Sequence, residues 1–446
     1  MRTRNVTDFL NNELKEYAID VIENRAIPSV IDGLKPTSRK VIYVANKIWK
    51  TGNEKPMKVF QLSGQMAADA YYHHGDQSAN AVITVMGQTF KNSLPLLEGI
   101  GQYGSLRSTC AGAPRYISTR LSPNFRNLYK DFELLESRYD EGQEVEPIYF
   151  LPILPTIILN GTSGIAVGFA SNILNRNPKD VLNACVDVLN GKKMKELKPW
   201  FLEFSGTYTR DKDNKNKWVI TGKYEVNKND VHITELPPSW TFEKYESYLD
   251  TLVDKKIIKD YDNNSSAGVD YTLKFKKDDL HELIEKGKLD DILKINESST
   301  ENLTTLDEYG KLKIFDCVED IVEYFVNFRL GYYQKRKDYM IDKHKKELNE
   351  LTNKAKFIKN IIDKKLNVNG VKKDVIVSWL DEHDFDRIDD SYNYLLTMPI
   401  YSLTKERYEE LLKKIGDKKE QIDDISKEDP KQMYLDDLNE LKKKLK

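Results

Sequence analysis

The sequence predicts a multidomain α+β chain, and three changes of pattern along it predict this. Apolar residues recur at helical spacing through roughly the first third. They alternate with polar ones at period two between Pro147 and about residue 315, and from Ile321 onward they fall into heptads. At 446 residues there is room for two to four domains, on a prior of roughly 100–200 residues each. A hydrophobic share of 39% with 31% charge is globular but polar, as long exposed helices make it.

The net charge of −2 hides an uneven distribution. Residues 1–130 carry 17 Lys+Arg against 10 Asp+Glu, a net of +7 (17 − 10). The window 99–130 holds Arg107, Arg115, Arg120, Arg126 and Lys130 and no acid. A local positive field on a neutral chain suits a polyanion bound along one face, and a solvated basic surface is the plainer alternative. Cys110, Cys185 and Cys317 are too few and scattered for a disulfide framework or a zinc site, so a reducing, cytoplasmic setting is expected. The most apolar run, Ile148 to Leu159, is broken by Pro152 and Pro155 and is too short to span a bilayer. No secretory start precedes it. The expectation is a soluble protein with no membrane association.

In chain order, Leu10, Leu14, Tyr17, Ala18 and Val21 mark an amphipathic helix that Pro28 ends, whose apolar face is expected to meet another chain. A turn, Asp32-Gly33-Leu34-Lys35-Pro36, leads to a helix with Val41, Val44, Ala45 and Ile48 on one face. Lys35, Arg39 and Lys40 crowd its start, where cations oppose the macrodipole, so a bound phosphate is expected there. Gln61 to Tyr72 follows as a helix with Leu62, Met66 and Ala70 inward. After the turn His73-His74-Gly75-Asp76, Ser78 is placed to cap a helix reaching Phe90. This is a helix-turn-helix arrangement. Its second helix has no Lys or Arg before Lys91, so it lacks the Arg–guanine contact and should bind DNA without reading sequence. His73 and His74 have no ligand partner at metal spacing, which favours phosphate contact over a metal.

Glycines 99, 101 and 104 let the backbone approach something closely, and no Walker Lys-Ser/Thr follows them. Next comes Arg115-Tyr116. A phenol with an unperturbed pKa of roughly 10 is a poor nucleophile near neutrality. A neighbouring cation that stabilises phenolate and pentavalent phosphorus makes it a useful one. Arg115 has the fork for that. Arg-Tyr also occurs at Arg138-Tyr139 and Arg407-Tyr408, so the dipeptide alone does not choose among 25 tyrosines.

Taken together, Asp32-Gly33-Leu34-Lys35-Pro36 with Arg39, His73-His74-Gly75, Gly101-Gln102-Tyr103-Gly104-Ser105 and Pro114-Arg115-Tyr116-Ile117 resemble the breakage-reunion subunit of type IIA DNA topoisomerases. So do Asn160-Gly161-Thr162-Ser163-Gly164-Ile165-Ala166-Val167-Gly168 with Asn172-Ile173, and Tyr392 to Pro399. The motifs stand in family order over about residues 15–445. Their wording is closer to the eukaryotic enzyme than to gyrase, and a short chain of this character resembles the medium subunits of T-even-like phage enzymes. The resemblance implies a helical arm over 1–24, a winged-helix DNA-cleavage domain over 25–146, a tower over 147–315, and a coiled coil over 316–446 whose knob, about 367–401, forms a dimer gate. It makes Tyr116 the nucleophile for a DNA 5′-phosphate and Arg115 its transition-state stabiliser. Lys35, Arg39, Lys40, His73, His74 and Ser78 fall on positions lining the cleaved DNA. Gln77 falls where members vary and where quinolone-type drugs are sensed. Ile173 becomes the wedge that unstacks a base step; without the resemblance it reads as a core residue.

The remaining pattern agrees with that layout. Trp218, Ile220, Tyr224 and Val226, and Val269, Tyr271, Leu273 and Phe275, alternate as strands, with a hairpin tip at Asp211 to Lys217. Ile341, Leu348, Ala355 and Ile362 lie seven apart with His344, Leu351 and Ile358 between them. A second run, Tyr408 to Ile425, returns antiparallel before Pro430 interrupts it, and a small globular segment lies between the two. Asp211-Lys212-Asp213 is the nearest approach to an acidic metal motif, and there is no nucleotide-binding loop. The resemblance implies Mg²⁺ and ATP, and with neither motif present both are expected on a large partner subunit. The other expected partners are two DNA duplexes and a second copy of this chain. With no wrapping domain after Lys446, relaxation is expected rather than supercoiling. A non-catalytic DNA-bending scaffold is the alternative reading. A tyrosine recombinase would place its tyrosine near the C-terminus.

Overall fold

A computed structural model describes residues 6–52, 54–266 and 268–445. It divides into two compact units, residues 1–329 with 437–446, and residues 330–436.

In the first unit, helix α1 runs over residues 6–26 with widened π turns at Leu10–Leu14 and Ile22–Ala26. It stops where Ile27 becomes extended, the conformation a following proline favours. Only Val21, Ile22 and Ala26 are buried, while Leu10 and Tyr17 of the predicted apolar face are exposed. Helix α2 (Pro36–Ile48) has proline at its first turn and buries Val41, Ile42, Val44 and Ala45. Strand β1 (Met57–Lys58) leads into α3 (Val59–Asp69), which turns Leu62 and Met66 inward. Helix α4 (Asp76–Met86) buries Ala79 and Ile83. It starts two residues before Ser78, with Gly75 in the capping position, and stops short of Phe90. Gly87 ends it against the Tyr103 ring, which leaves no space for a Cβ. Strands β2 (Leu97–Ile100) and β3 (Ser118–Leu121) complete a three-stranded antiparallel sheet in the order β1-β3-β2, with Met57 opposite Thr119 and Leu97 opposite Leu121.

Helix α5 (Pro123–Leu128) is capped by the Ser122 hydroxyl, which accepts from the Asn124 N–H at 3.2 Å. A hairpin, β4 (Arg138–Asp140) and β5 (Gln143–Val145), precedes the apolar run. That run is core. Phe150, Leu151, Ile153 and Leu154 are buried, as is all of α6 (Thr156–Leu159). Among the described residues no helix is long and apolar enough to cross a membrane. A second hairpin, β6 (Thr162–Ile165) and β7 (Ala170–Ile173), leads to α7 (Pro178–Leu189).

The period-two region forms two larger sheets beside two two-stranded pairs, β6–β7 and another at its end. Strands β8 (Thr207–Arg210), β9 (Lys217–Thr221), β10 (Lys223–Asn227) and β11 (Asp230–Glu235) are followed by helix α8 (Phe242–Asp254), β12 (Asp260–Asn263) and β13 (Tyr271–Lys274). After α9 (Lys277–Glu285) and α10 (Leu289–Leu293) come β14 (Asn296–Thr300), β15 (Thr304–Leu306) and β16 (Leu312–Ile314). The larger sheets have the orders β14-β9-β8 and β10-β11-β13-β12, and β15 pairs with β16. Trp218 and Ile220 point inward as their alternation predicts. Val226 does not, because β10 is an edge strand, and it is largely exposed. Tyr245, Leu249 and Leu252 of α8 pack in one core with Val231, Ile233, Tyr271 and Leu273. Arg176 and Glu301 form a buried ion pair at 2.7 Å, and Glu301 also accepts from the Trp218 indole (3.0 Å) and the Leu174 N–H (2.9 Å). Such saturation is what makes a buried pair tolerable.

The second unit takes up helix α11 (Val318–Ile362) from Leu330 onward. Helices α12 (Lys373–Glu382) and α13 (Asn393–Leu396) build a core of Leu366, Ile376, Leu380, Phe385, Tyr392 and Leu395. Helix α14 (Lys405–Lys427) then returns antiparallel along α11. Ala355 and Ile358 cluster with Leu411, Lys418 reaches Glu347 at 2.8 Å, and Lys337 donates to the Glu428 carbonyl at 2.7 Å. Pro430 opens α15 (Pro430–Lys444), and Tyr434 stacks on Tyr333 at 4.5 Å. The last turns of α15 belong to the first unit, where Asp437 pairs with Lys130 at 2.7 Å.

Candidate active site

Tyr116 ends a tight turn directly before β3. Its N–H donates to the Ala113 carbonyl at 2.8 Å, and its side chain is 73% exposed. Beneath it Ile117 is buried. Arg115 is exposed and, among the described residues, has no carboxylate or carbonyl partner. The other two Arg-Tyr pairs differ in this respect. Arg138 is held by Glu146 at 2.8 Å and Arg407 by Glu410 at 2.5 Å. The rest of the acid-free window is also engaged. Arg120 pairs with Glu98 at 2.7 Å, Arg126 donates to the Trp49 carbonyl, Arg107 to the Ser265 carbonyl, and Lys130 to Asp437. Most of that basic charge therefore serves structure, and Arg115 is the guanidinium left for a ligand.

The loop carrying Tyr116 is fixed at three places. At its start, Tyr103 lays its ring against Gly87 and Gly99, neither of which has space for a Cβ, and its hydroxyl donates to the Ser118 carbonyl at 2.9 Å. The close approach expected at the glycines is thus made by the chain's own tyrosine. Burial pushes the Tyr103 phenol up to about 12, so it stays a neutral donor at ordinary pH. At the loop's tip, the Phe242 and Glu243 N–H groups of α8 donate to the Leu106 and Arg107 carbonyls at 3.0 and 3.2 Å. At its end, the Lys58 ammonium donates to the Tyr116 carbonyl at 2.9 Å. Lys58 carries no signal in the sequence, because its partner is a backbone atom 58 residues away.

The cations at the start of α2 are less free than their spacing suggests. Arg39 is 7% exposed and forks onto Asp32 at 2.7 and 3.0 Å, with a third bond to the Leu34 carbonyl. Asp32 also accepts from the Phe150 N–H at 3.1 Å. Arg39 is therefore a brace for the turn, and a carboxylate rather than a bound phosphate answers its charge. Lys40 is held by Glu146 at 2.9 Å and the Ala70 carbonyl. Lys35 donates to the Ser163 carbonyl at 2.6 Å, and burial lowers its pKa. It lines a cavity of about 520 Å³ together with Ser38, Val85, Lys91 and Asn160. His73, His74, Gln77 and Ser78 gather around the start of α4, and all four are exposed. They follow α3, an 11-residue helix.

Ile173, the expected wedge, is enclosed. It lies at the end of β7 opposite Thr162, is 2% exposed and lines the same cavity as Lys35, so it would have to be uncovered to enter a base step. The exposed apolar residue of the same hairpin is Ile165, at 88%, with Val167 and Phe169 beside it at the tip. Eight residues separate Ile165 from Ile173, and both are isoleucines within the same glycine-rich motif, so residue type does not distinguish them.

For a metal ion the residues do not fit. Among the described residues no three His, Cys, Asp or Glu side chains stand together at ligand spacing. Asp211 instead accepts from the Asp213 and Asn214 N–H groups and pairs with Lys217 at 3.1 Å, closing its hairpin.

Known proteins resemble this chain over nearly its whole length. The sequence profile of the family described as the A subunit of DNA gyrase/topoisomerase IV matches residues 25–442. The DNA topoisomerase medium subunit of Enterobacteria phage T4 is 34% identical over 99% of this chain and 100% of its own length. DNA topoisomerase 2 of Penicillium chrysogenum is 34% identical over 97% of this chain, which spans only 30% of that enzyme. Among solved structures, the DNA-binding, cleavage and re-ligation domain of Plasmodium falciparum topoisomerase II superposes with a TM-score of 0.86 at 33% identity, covering 98% of this chain and 64% of that one. The chain belongs to the family of DNA gyrase and topoisomerase IV A subunits.

Proposed function

We propose that the chain is the DNA-cleaving and religating component of a type II DNA topoisomerase, acting through Tyr116. The observation that carries this is the exposed phenol beside a guanidinium unpaired among the described residues, on a turn fixed at three places. In the reaction, the Tyr116 oxygen attacks a backbone phosphorus, the bond to the 3′ oxygen breaks, and the 3′ hydroxyl leaves with a proton. The phosphotyrosyl ester keeps the energy of the broken bond, so the reverse attack reseals the strand without external supply. Arg115 balances the charge that builds on the phosphate oxygens. A DNA-bending scaffold has no use for this pair.

We read helices α2–α4 with the β1-β3-β2 sheet as a winged-helix domain, the two larger sheets with α8 as a tower, and α11 with α14 as an antiparallel coiled coil. Lys35, His73, His74, Gln77 and Ser78 serve as DNA-contacting residues, and Ile165 as the wedge. The α12–α13 region leaves Ile400 and Tyr401 exposed, at 87% and 82%. This is the surface proposed to pair with a second copy, so that two copies of Tyr116 cut opposite strands. Mg²⁺ and ATP are assigned to a larger partner subunit. Assembled with that partner on supercoiled DNA, the protein should leave a detergent-trapped adduct on 5′ ends. Tyr116→Phe should abolish the adduct and leave DNA binding within a few-fold; adduct persisting in that variant sinks the assignment.

A further inference from the structure

Residues 58–60 satisfy three carbonyls of the nucleophile turn from one short stretch. The Lys58 ammonium donates to the Tyr116 carbonyl at 2.9 Å, the Val59 N–H to Ile117 at 3.2 Å, and the Phe60 N–H to Pro114 at 3.2 Å. These residues are the end of β1 and the first turn of α3, whose leading N–H groups have no partner within the helix. The turn supplies the missing acceptors. In return its backbone is pinned on one side, leaving the phenol of Tyr116 exposed. Two of the three bonds are backbone to backbone. The third belongs to the side chain of Lys58, which is exposed and makes no ion pair among the described residues.

We propose that Lys58 is a positioning residue for the cleavage reaction, holding the Tyr116 turn through its carbonyl so that the phenol oxygen meets phosphorus in line. This rests on Tyr116 being the nucleophile. Lys58 forms no bond to the reacting atoms. It acts on how often the turn presents the phenol correctly. Misplacement of a reacting group by about 1 Å costs on the order of 100-fold in rate, so loosening the turn should show in the rate and not in DNA affinity. A lysine serving as an ordinary phosphate contact would show the opposite, a weaker affinity with an unchanged rate at saturation.

The test is single-turnover cleavage of a duplex by the complete enzyme, followed against DNA concentration for the wild type, Lys58→Met, Lys58→Gln, Lys58→Arg and Tyr116→Phe. The saturating rate should fall about tenfold or more in Lys58→Met, with half-saturation within about twofold of wild type. Lys58→Arg should restore most of the rate, because it keeps a charged donor of similar reach. Lys58→Gln, a shorter neutral donor, should lie between the two. Melting temperatures close to wild type are expected, since the side chain is exposed. A wild-type saturating rate in both Lys58→Met and Lys58→Gln overturns the proposal. So does a loss confined to half-saturation, or an arginine variant as slow as the methionine one. Failure of the parent reading is separately visible, as an adduct that survives Tyr116→Phe while Lys58 is intact.

Discussion

Arg115 keeps its guanidinium in water beside an exposed phenol, whereas Arg138 and Arg407 are held by Glu146 and Glu410. An arginine that already has a carboxylate must give it up to meet a phosphate; Arg115 gives up only water. Removing one preorganised donor to a developing oxyanion typically costs about 100- to 1000-fold in rate. Arg115→Ala should therefore slow single-turnover cleavage by that order and leave the detergent-trapped residue unchanged. The two isoleucines of the β6–β7 hairpin should separate by opposite assays. Ile165→Ala should reduce DNA bending with little loss of stability. Ile173→Ala should lower stability by about 2–4 kcal/mol, the cost of truncating a buried isoleucine, as read by denaturant unfolding. Bending lost in Ile173→Ala and kept in Ile165→Ala would reverse the assignment. Tyr103 adds a pH dependence. Its folded-state pKa, about 12, lies above the unfolded value. The stability it contributes is thus complete below about 10 and drains as pH rises from there toward about 12, and Tyr103→Phe should remove that slope.

Among the elements, the turn before α2 depends on a buried charge pair. Asp32 takes two bonds from Arg39, two from backbone N–H groups, and none from solvent. Breaking a buried pair from one side costs about 3–5 kcal/mol. Asp32→Ala should thus lose about that much in chemical denaturation, more than Lys35→Ala, whose side chain reaches only a carbonyl. Residue spacing marks this turn and helix, yet it makes Arg39 look like a surface cation. The partner of Arg39 lies seven residues away across a turn, and no local periodicity marks such a pairing. Where the signal is local, it suffices. The Asp211–Lys217 hairpin tip, the inward Trp218 and Ile220, and the heptad residues Ala355 and Ile358 are where spacing puts them. Where a backbone acceptor completes the contact, as for Lys58 with Tyr116, residue types carry no trace of it.

Over the full length of the chain, motif order is the strongest signal, and it extends over nearly the whole span that the family profile covers, residues 25–442. Single motifs are weaker guides, as the Ser78 cap illustrates. The exposed pair Ile400 and Tyr401 is the surface proposed to meet a second copy, since large apolar side chains left in water on one small core ask for a partner surface. Replacing both with aspartate should convert a dimer to a monomer in sedimentation equilibrium at micromolar concentration, and a wild-type chain already monomeric there would remove the proposed gate. That Tyr116 carries the broken strand is open to a chemical check. The complex is trapped on DNA, protein and nucleic acid are digested, and mass spectrometry identifies the tyrosine that bears a nucleotide remnant. The remnant should sit on Tyr116; finding it on Tyr139, Tyr408 or any other residue would refute the assignment.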